Sequence, residues 1–214
     1  MQSVVSPSDR RVLLASRSPR RRALLEQVGI TPIVRVSDVE EVPRSGESPF
    51  DYTLRLSQDK ARAVAADVEG DDDLPRFILA ADTIVTFDDV LLEKPADAED
   101  ARHMLRALSG RHHEVHTAYC WLDRAGGSVT DCVTTRVRFR ELSDETIARY
   151  VATGEPMDKA GAYGIQGIGG VLVEGVEGSY SCVVGLPISH VLASLTYLGG
   201  IEGFPFPPAD EVTP

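Results

Sequence analysis

The chain has 214 residues, 43% of them apolar, with a net charge of −11 and a pI near 4.9. That is enough apolar content for a substantial core; the balance is too acidic for a general nucleic-acid binder, which needs a basic face, and no apolar run reaches membrane-spanning length. Met1 to Arg11 is polar and reads as no secretory signal, and Cys120, Cys132 and Cys182, widely spaced and without a CxxC pair, predict neither a zinc site nor a disulfide framework, so a reducing cytoplasm is the default compartment.

Val12-Leu13-Leu14-Ala15 predicts a short strand. Ser16-Arg17-Ser18-Pro19-Arg20-Arg21-Arg22 follows, and Ala23-Leu24-Leu25-Glu26-Gln27-Val28, closed by Gly29, predicts an amphipathic helix. Ser18 suits the N-cap and Pro19 the first helical position. Arginines in the first turn have the wrong sign for a helix N-terminus, where free N–H groups and the macrodipole favour anions. The third position, Glu in a capping box, is Arg21. The pattern makes sense if an external anion docks there, with amides, the Ser16 and Ser18 hydroxyls and guanidiniums converging on a phosphate chain. The alternative is a solvated basic helix start.

A second strand is predicted near 33–36, followed by the acidic Asp38-Val39-Glu40-Glu41. Ser48-Pro49 opens a helix to about Val68, with Leu54, Leu56, Ala61 and Val64 among its apolar positions; Glu69-Gly70-Asp71-Asp72-Asp73 reads as a solvated loop. The strongest strand signal covers 77–87, with Asp88-Asp89 as a turn and Val90-Leu91-Leu92 returning as a hairpin. A helix over 97–108 closed by Gly110 comes next, then strands over 114–122 and 129–139, and a helix capped by Ser143 that ends at Gly154. After a Gly-rich loop at 161–170, Val171-Leu172-Val173 and Cys182-Val183-Val184 read as buried strands. Pro187 opens the last helix, to about Leu198. The alternation predicts an α/β fold with a flexible N-terminus over 1–10, one domain over 11–198 and a loosely ordered tail over 199–214.

Asp82 interrupts the apolar run at 77–87. A carboxylate buried there is costly unless compensated. Either backbone amides satisfy it in the core, or it faces a cleft, where it can hold magnesium or take a proton from water. Its neighbour Thr83, a second polar group, favours the cleft. Glu40 and Glu41 alone read as an exposed acidic loop; with Asp82 they can supply the one or two carboxylates that magnesium uses beside substrate phosphates. Lys60 and Lys94, taken singly, read as surface lysines. Lys159 opens Lys159-Ala160-Gly161-Ala162-Tyr163-Gly164-Ile165-Gln166-Gly167, whose glycines imply a backbone that approaches something closely; it is neither a Rossmann fingerprint nor a Walker loop. Gln166, both donor and acceptor, can read the edge of a base. His112, His113 and His116 straddle a turn and a strand start, not the helix on which an i, i+4 zinc pair would sit. No GxSxG motif is present.

In order along the chain, these residues resemble the Maf family of nucleoside triphosphate pyrophosphatases, a family once associated with septum formation. Ser16-Arg17-Ser18-Pro19-Arg20-Arg21 is similar to the family's SxSPRR, and Asp38-Val39-Glu40-Glu41 to its acidic segment, with Glu41 at the acid position. Leu56-Ser57-Gln58-Asp59-Lys60-Ala61 fits LAxxKA, with Ser57 in place of the usual Ala. Ala81-Asp82-Thr83-Ile84-Val85 fits ADTxV, Lys94-Pro95 fits KP, and Ser109-Gly110-Arg111 with His113, Val115 and Thr117 fits SGRxHxVxT. The Gly-rich segment from Asp158 to Gly167, Gly178-Ser179-Tyr180 and Val184-Gly185-Leu186-Pro187 resemble the branch acting on dTTP and UTP rather than the one preferring 7-methyl-GTP.

The resemblance implies an α/β fold like the inosine triphosphate pyrophosphatases, with a bent mixed sheet, flanking helices and two lobes around a deep cleft. It also implies hydrolysis of dTTP and UTP to the monophosphate and pyrophosphate, a divalent cation (Mg2+, with Mn2+ and Co2+ as alternatives) and a homodimer. By the resemblance Arg20, Thr83 and Gln166 occupy specificity positions and Asp82 is the proton acceptor. Glu41 and Asp82 then bind the metal, and Ser16, Ser18, Arg20, Arg21, Lys60, Thr83, Lys94, Lys159 and Gln166 contact substrate. No nucleic-acid or membrane partner is expected. The competing reading is a nucleotide-binding regulator of cell division without turnover; a kinase would need an ATP loop that the chain lacks.

Overall fold

Seven strands and six α-helices occupy residues 10–36 and 38–201, the part of the chain that this computed structural model describes. In order they are β1 (Arg11–Leu14), α1 (Pro19–Gln27), β2 (Thr31–Val34), α2 (Pro49–Asp67), β3 (Phe77–Phe87), β4 (Val90–Leu92), α3 (Ala98–Leu108), β5 (His112–Asp123), β6 (Ser128–Phe139), α4 (Asp144–Ala152), β7 (Val173–Glu177), α5 (Tyr180–Val184) and α6 (Ile188–Tyr197). The expectations for residues 1–9 and 202–214 lie outside the described residues. No helix of the described part is long and apolar enough to cross a membrane.

Local chemistry sets most of these boundaries. Ser18, Ser48, Asp97 and Ser143 each accept a backbone N–H two or three residues on, capping α1, α2, α3 and α4. Asp88 and Asp89 both take positive φ (50° and 63°), the backbone of a two-residue hairpin turn between β3 and β4. Ser57, in place of the Ala of the similar motif, is buried and donates to Leu54 O at 2.7 Å, so its hydroxyl is satisfied within α2.

The sheet is mixed, in the order β2-β1-β3-β5-β6-β7, with β4 on β3; β1 runs parallel to β2 and β3, and every other pair is antiparallel. The two-residue period of β3 sorts its side chains. Phe77, Leu79 and Ala81 join Trp121 and helices α1 and α6 in one core cluster, while Ile78 and Ala80 join Ala61 and Val64 of α2 on the opposite face. Farther along, Val85 belongs to a second cluster with α3, α4, Val115 and Phe139. The long strand β3 therefore runs from one core to another, and Asp82 and Thr83 lie at the junction. One edge of β3 pairs with β1 only at Ile78 and Leu79 and with β4 only from Val85 onward. The stretch between them is the gap in which the cleft opens, at the carboxyl end of β1.

Two expected strands take other forms. Cys182-Val183-Val184 belongs to the short helix α5, capped by the Ser179 side chain, which accepts from Cys182 N, and closed by Gly185 at φ 123°. Three apolar residues carry no period, so the Ser179 cap and the Gly185 stop decide the geometry. Val171 and Leu172 end a 3₁₀ turn over Ile168–Leu172, with Leu172 buried and Val171 61% exposed, and the strand begins only at Val173. Ile201 packs on the first cluster.

Candidate active site

A cleft of about 850 Å³ opens at that gap, lined by Ser16, Ser18, Arg20, Arg21, Glu41, Lys60, Asp82, Thr83, Lys94, Lys159 and Gln166, whereas Glu40, read beside Glu41 as a second acid for magnesium, does not line it. Six Lys or Arg against five Asp or Glu make its lining slightly basic in a chain of net charge −11, which favours a small polyanion at this place alone.

Strand alternation aims Asp82 at the α2 face, where Lys60 Nζ lies 2.7 Å from Asp82 Oδ1 and 2.7 Å from Glu41 Oε1. Asp82 is thus paired with a cation at a cleft wall, not satisfied by core amides. Glu41 comes from an irregular segment that α2 holds in place. Tyr52 OH donates to Glu41 O at 3.0 Å, and Arg55 donates to Val42 O and, at 2.6 and 2.7 Å, to both carboxylate oxygens of Glu47. Hydrogen bonds from Arg55 hold the Glu47 carboxyl down at about 2.

Thr83, one residue on, points to the opposite face and meets α1. Arg21 Nη2 donates to Thr83 Oγ1 at 2.9 Å, Nη1 to Ser16 Oγ at 3.1 Å and Nε to Gly185 O at 2.8 Å. Thr83 Oγ1 also lies 2.9 Å from Thr117 Oγ1 on β5, which donates to Cys182 O of α5. Burial lowers the Arg21 pKa, opposed by the charge of Asp82. The three consecutive arginines divide by helical rotation. Arg21 turns into the protein and Arg22 pairs outward with Glu26 at 2.7 Å. Arg20 lines the cleft with no hydrogen bond or ion pair among the described residues. The helix end offers fewer amides than expected: Ser18 Oγ takes the Arg21 N–H at 3.4 Å and Ser18 O the Arg22 N–H at 3.3 Å, while Pro19 has none, leaving the amide of Arg20.

The Gly-rich loop forms the facing wall. Its glycines approach protein groups: a Cβ on Gly167 would collide with the Glu155 carboxylate and one on Gly169 with the Tyr150 hydroxyl. Glu155 Oε1 accepts from Gly169 N and Tyr150 OH, and Oε2 from Ile168 N, each at 2.9 Å. Burial would raise the Glu155 pKa, but these donors more than offset it and the carboxyl is held below its usual value. Lys159 Nζ donates to Glu155 O at 2.7 Å and to Asp158 Oδ1 at 2.6 Å, so its charge is shared with the loop. Glu155 and Tyr150 escaped the sequence reading; a carboxylate five residues after a helical Tyr and shortly before a Gly-rich run is a weak signal for a backbone anchor.

Behind this wall Tyr163 hydrogen-bonds His113 Nε2 at 2.8 Å, with Phe139 packed edge-on to both rings. His113 Nδ1 is buried without a partner among the described residues, and burial, helped by the charge of His112, pushes the imidazole down to about 4. The unfolded chain, with an ordinary histidine value near 6.5, binds the proton first as pH falls. His113 should therefore cost nothing above pH 6.5 and remove up to about 3 kcal/mol of stability between pH 6.5 and 4. Urea unfolding of wild type and His113→Gln at pH 7, 6 and 5 checks this: the variant's stability should fall less steeply, and parallel curves would refute it. His116 lies between Thr86 and Thr134, at 2.8 and 2.9 Å, so it and His113 serve as hydrogen-bonding groups on β5.

Known proteins are similar to this chain in sequence. A dTTP/UTP pyrophosphatase of Nitratidesulfovibrio vulgaris is 50% identical over 192 residues, covering 89% of both chains. Those of Geobacter metallireducens (48% identical, 91% of this chain and 100% of that protein) and Anaeromyxobacter dehalogenans (50%, 92% and 96%) are as similar. Among solved structures, a nucleoside-triphosphatase, dITP/XTP pyrophosphatase from Mycobacterium abscessus aligns over 88% of this chain and 97% of that one, at 17% identity and a TM-score of 0.43. The family described as Maf-like protein matches residues 11–198, the stretch that carries every residue lining the cleft, and the chain belongs to that family.

Proposed function

We propose that this protein hydrolyses dTTP and UTP to the nucleoside monophosphate and pyrophosphate. The observation that carries the reading is Asp82: a carboxylate in a long apolar strand, at a gap in the sheet edge, sharing the Lys60 ammonium with Glu41 and lining the same cleft as Arg20. A site built only to bind phosphates would gain nothing from two carboxylates at its centre. The names of relatives near 50% identity support the same substrates.

Nucleoside triphosphate pyrophosphatases in general use a divalent cation. Glu41 and Asp82 fit one, magnesium first, because they are hard oxygen donors in the number that magnesium takes beside phosphates. Among the described residues no cluster of three or more His, Cys, Asp or Glu could hold a metal alone, so the substrate phosphates would complete its ligand set. Bound there, the cation supplies charge neutralisation and polarises phosphate oxygens.

Arg20 and Lys94 neutralise the triphosphate, with Ser16, Ser18 and the Arg20 amide donating hydrogen bonds. Arg21 holds Thr83 and the α5 end in place and adds its charge. Asp82 takes the proton of the attacking water. The water oxygen bonds to the α-phosphorus as the bond from that phosphorus to the bridging oxygen breaks, and pyrophosphate leaves with the electron pair. Gln166, from the facing wall, meets the polar edge of the pyrimidine, with Thr83 and Arg20 as the other specificity positions.

Incubation with magnesium and dTTP, UTP, CTP, GTP or 7-methyl-GTP tests the reading. Pyrophosphate released chiefly from dTTP and UTP is expected. Orthophosphate alone would place cleavage at the γ-phosphate and overturn it; bound nucleotide without product would favour a nucleotide-binding regulator.

A further inference from the structure

The turn that carries Gln166 is held at both ends by one pair of side chains. On its near side Gly164 N donates to Tyr150 OH at 3.1 Å; on its far side Ile168 N and Gly169 N donate to the two oxygens of Glu155, which also accepts the Tyr150 hydroxyl proton. Tyr150 is 4% exposed and packed in the second core cluster, so the pair ties the turn to a rigid body. The Gln166 amide, by contrast, makes no hydrogen bond among the described residues and lines the cleft. Its placement therefore comes from the backbone, and the backbone is set by Glu155 and Tyr150.

We propose that Glu155, through Tyr150 and the 164–169 backbone, is a positioning residue for base selection. The proposal rests on the reading of Gln166 as a base-contacting group. A carboxylate suits the task because it can accept from two adjacent amides and a phenol at once. A glutamine has one acceptor oxygen, and its NH2 would face a backbone N–H, so Glu155→Gln should release the turn without changing side-chain size.

The test measures kcat and KM for dTTP, UTP, CTP and GTP with the full chain, for wild type, Glu155→Gln, Gln166→Ala and the double variant, with amide hydrogen exchange over 164–169. In Glu155→Gln, preference for dTTP over GTP should fall about ten-fold, through KM with kcat within two-fold. Exchange should rise in that segment alone, and the double variant should be no less selective than Gln166→Ala. Tyr150→Phe, which removes one hydroxyl and keeps the ring, should show the same shift more weakly and serves if Glu155→Gln does not fold. Selectivity lost in Gln166→Ala but kept in Glu155→Gln, or in Tyr150→Phe where that variant stands in, overturns the proposal alone. So does an equal loss of kcat for every nucleotide, or an additive double variant. Selectivity kept in Gln166→Ala overturns the base-contact reading and the proposal with it.

Discussion

Asp82→Asn should lower kcat for pyrophosphate release from dTTP by about 10³-fold, within the range seen when a general base is removed, and leave the fold intact. The substitution preserves shape and one acceptor for Lys60, which keeps Glu41 at 2.7 Å, so the α2 face of the site stays assembled. What it removes is the proton acceptor and one of two carboxylates for a cation. Circular dichroism and thermal melting within a few degrees of wild type, beside the lost turnover, are the expected pair of results. A folded Asp82→Asn variant that still turns over at a rate near wild type would sink the proposed chemistry.

Arg21→Met should show the second large effect, on stability and activity together. The guanidinium bridges Gly185, Ser16 and Thr83, tying α1 to β3 and to the end of α5. Hydrogen bonds from a charged donor are worth about 1.5–3 kcal/mol, and a partly buried network loses more when its centre goes. A loss of about 3 kcal/mol in urea unfolding is expected, with kcat/KM down by at least about 10²-fold, since Thr83 and the α5 end lose their reference point. Arg21→Lys keeps the charge without the planar fork and should recover little of either loss. Full recovery by Lys would show that charge alone matters there and that the bridging geometry does not.

The elements were legible because their signals are local. A serine capping an amide three residues away is readable from adjacent letters, and Ser18, Ser48 and Ser143 cap the helices they were read to open, whereas Asp97, read as the first residue of its helix, is the cap before it. The eleven-residue run of β3 was legible as a long apolar stretch, and the two-residue period of the strand sends Asp82 to Lys60 and Thr83 to Arg21. The segment 180–184 was not, because five residues hold too little periodicity to separate a helix turn from a strand, and the Ser179 cap and Gly185 stop went unread. Thr117 and Gly185 stand within recognisable motifs, yet nothing in the letters says that one accepts Thr83 and the other Arg21.

The sequence by itself determined the α/β alternation and the helix starts, because capping and periodicity are encoded within a few positions, and its ordered motifs carried the family likeness through which the cleft residues were named. Tertiary structure decided that Arg21 is the arginine turned inward, since it is captured by Gly185, 164 residues away. It also decided that Gly167 and Gly169 lie against Glu155 and Tyr150, for a carboxylate can satisfy two amides only where the chain has been folded back onto it.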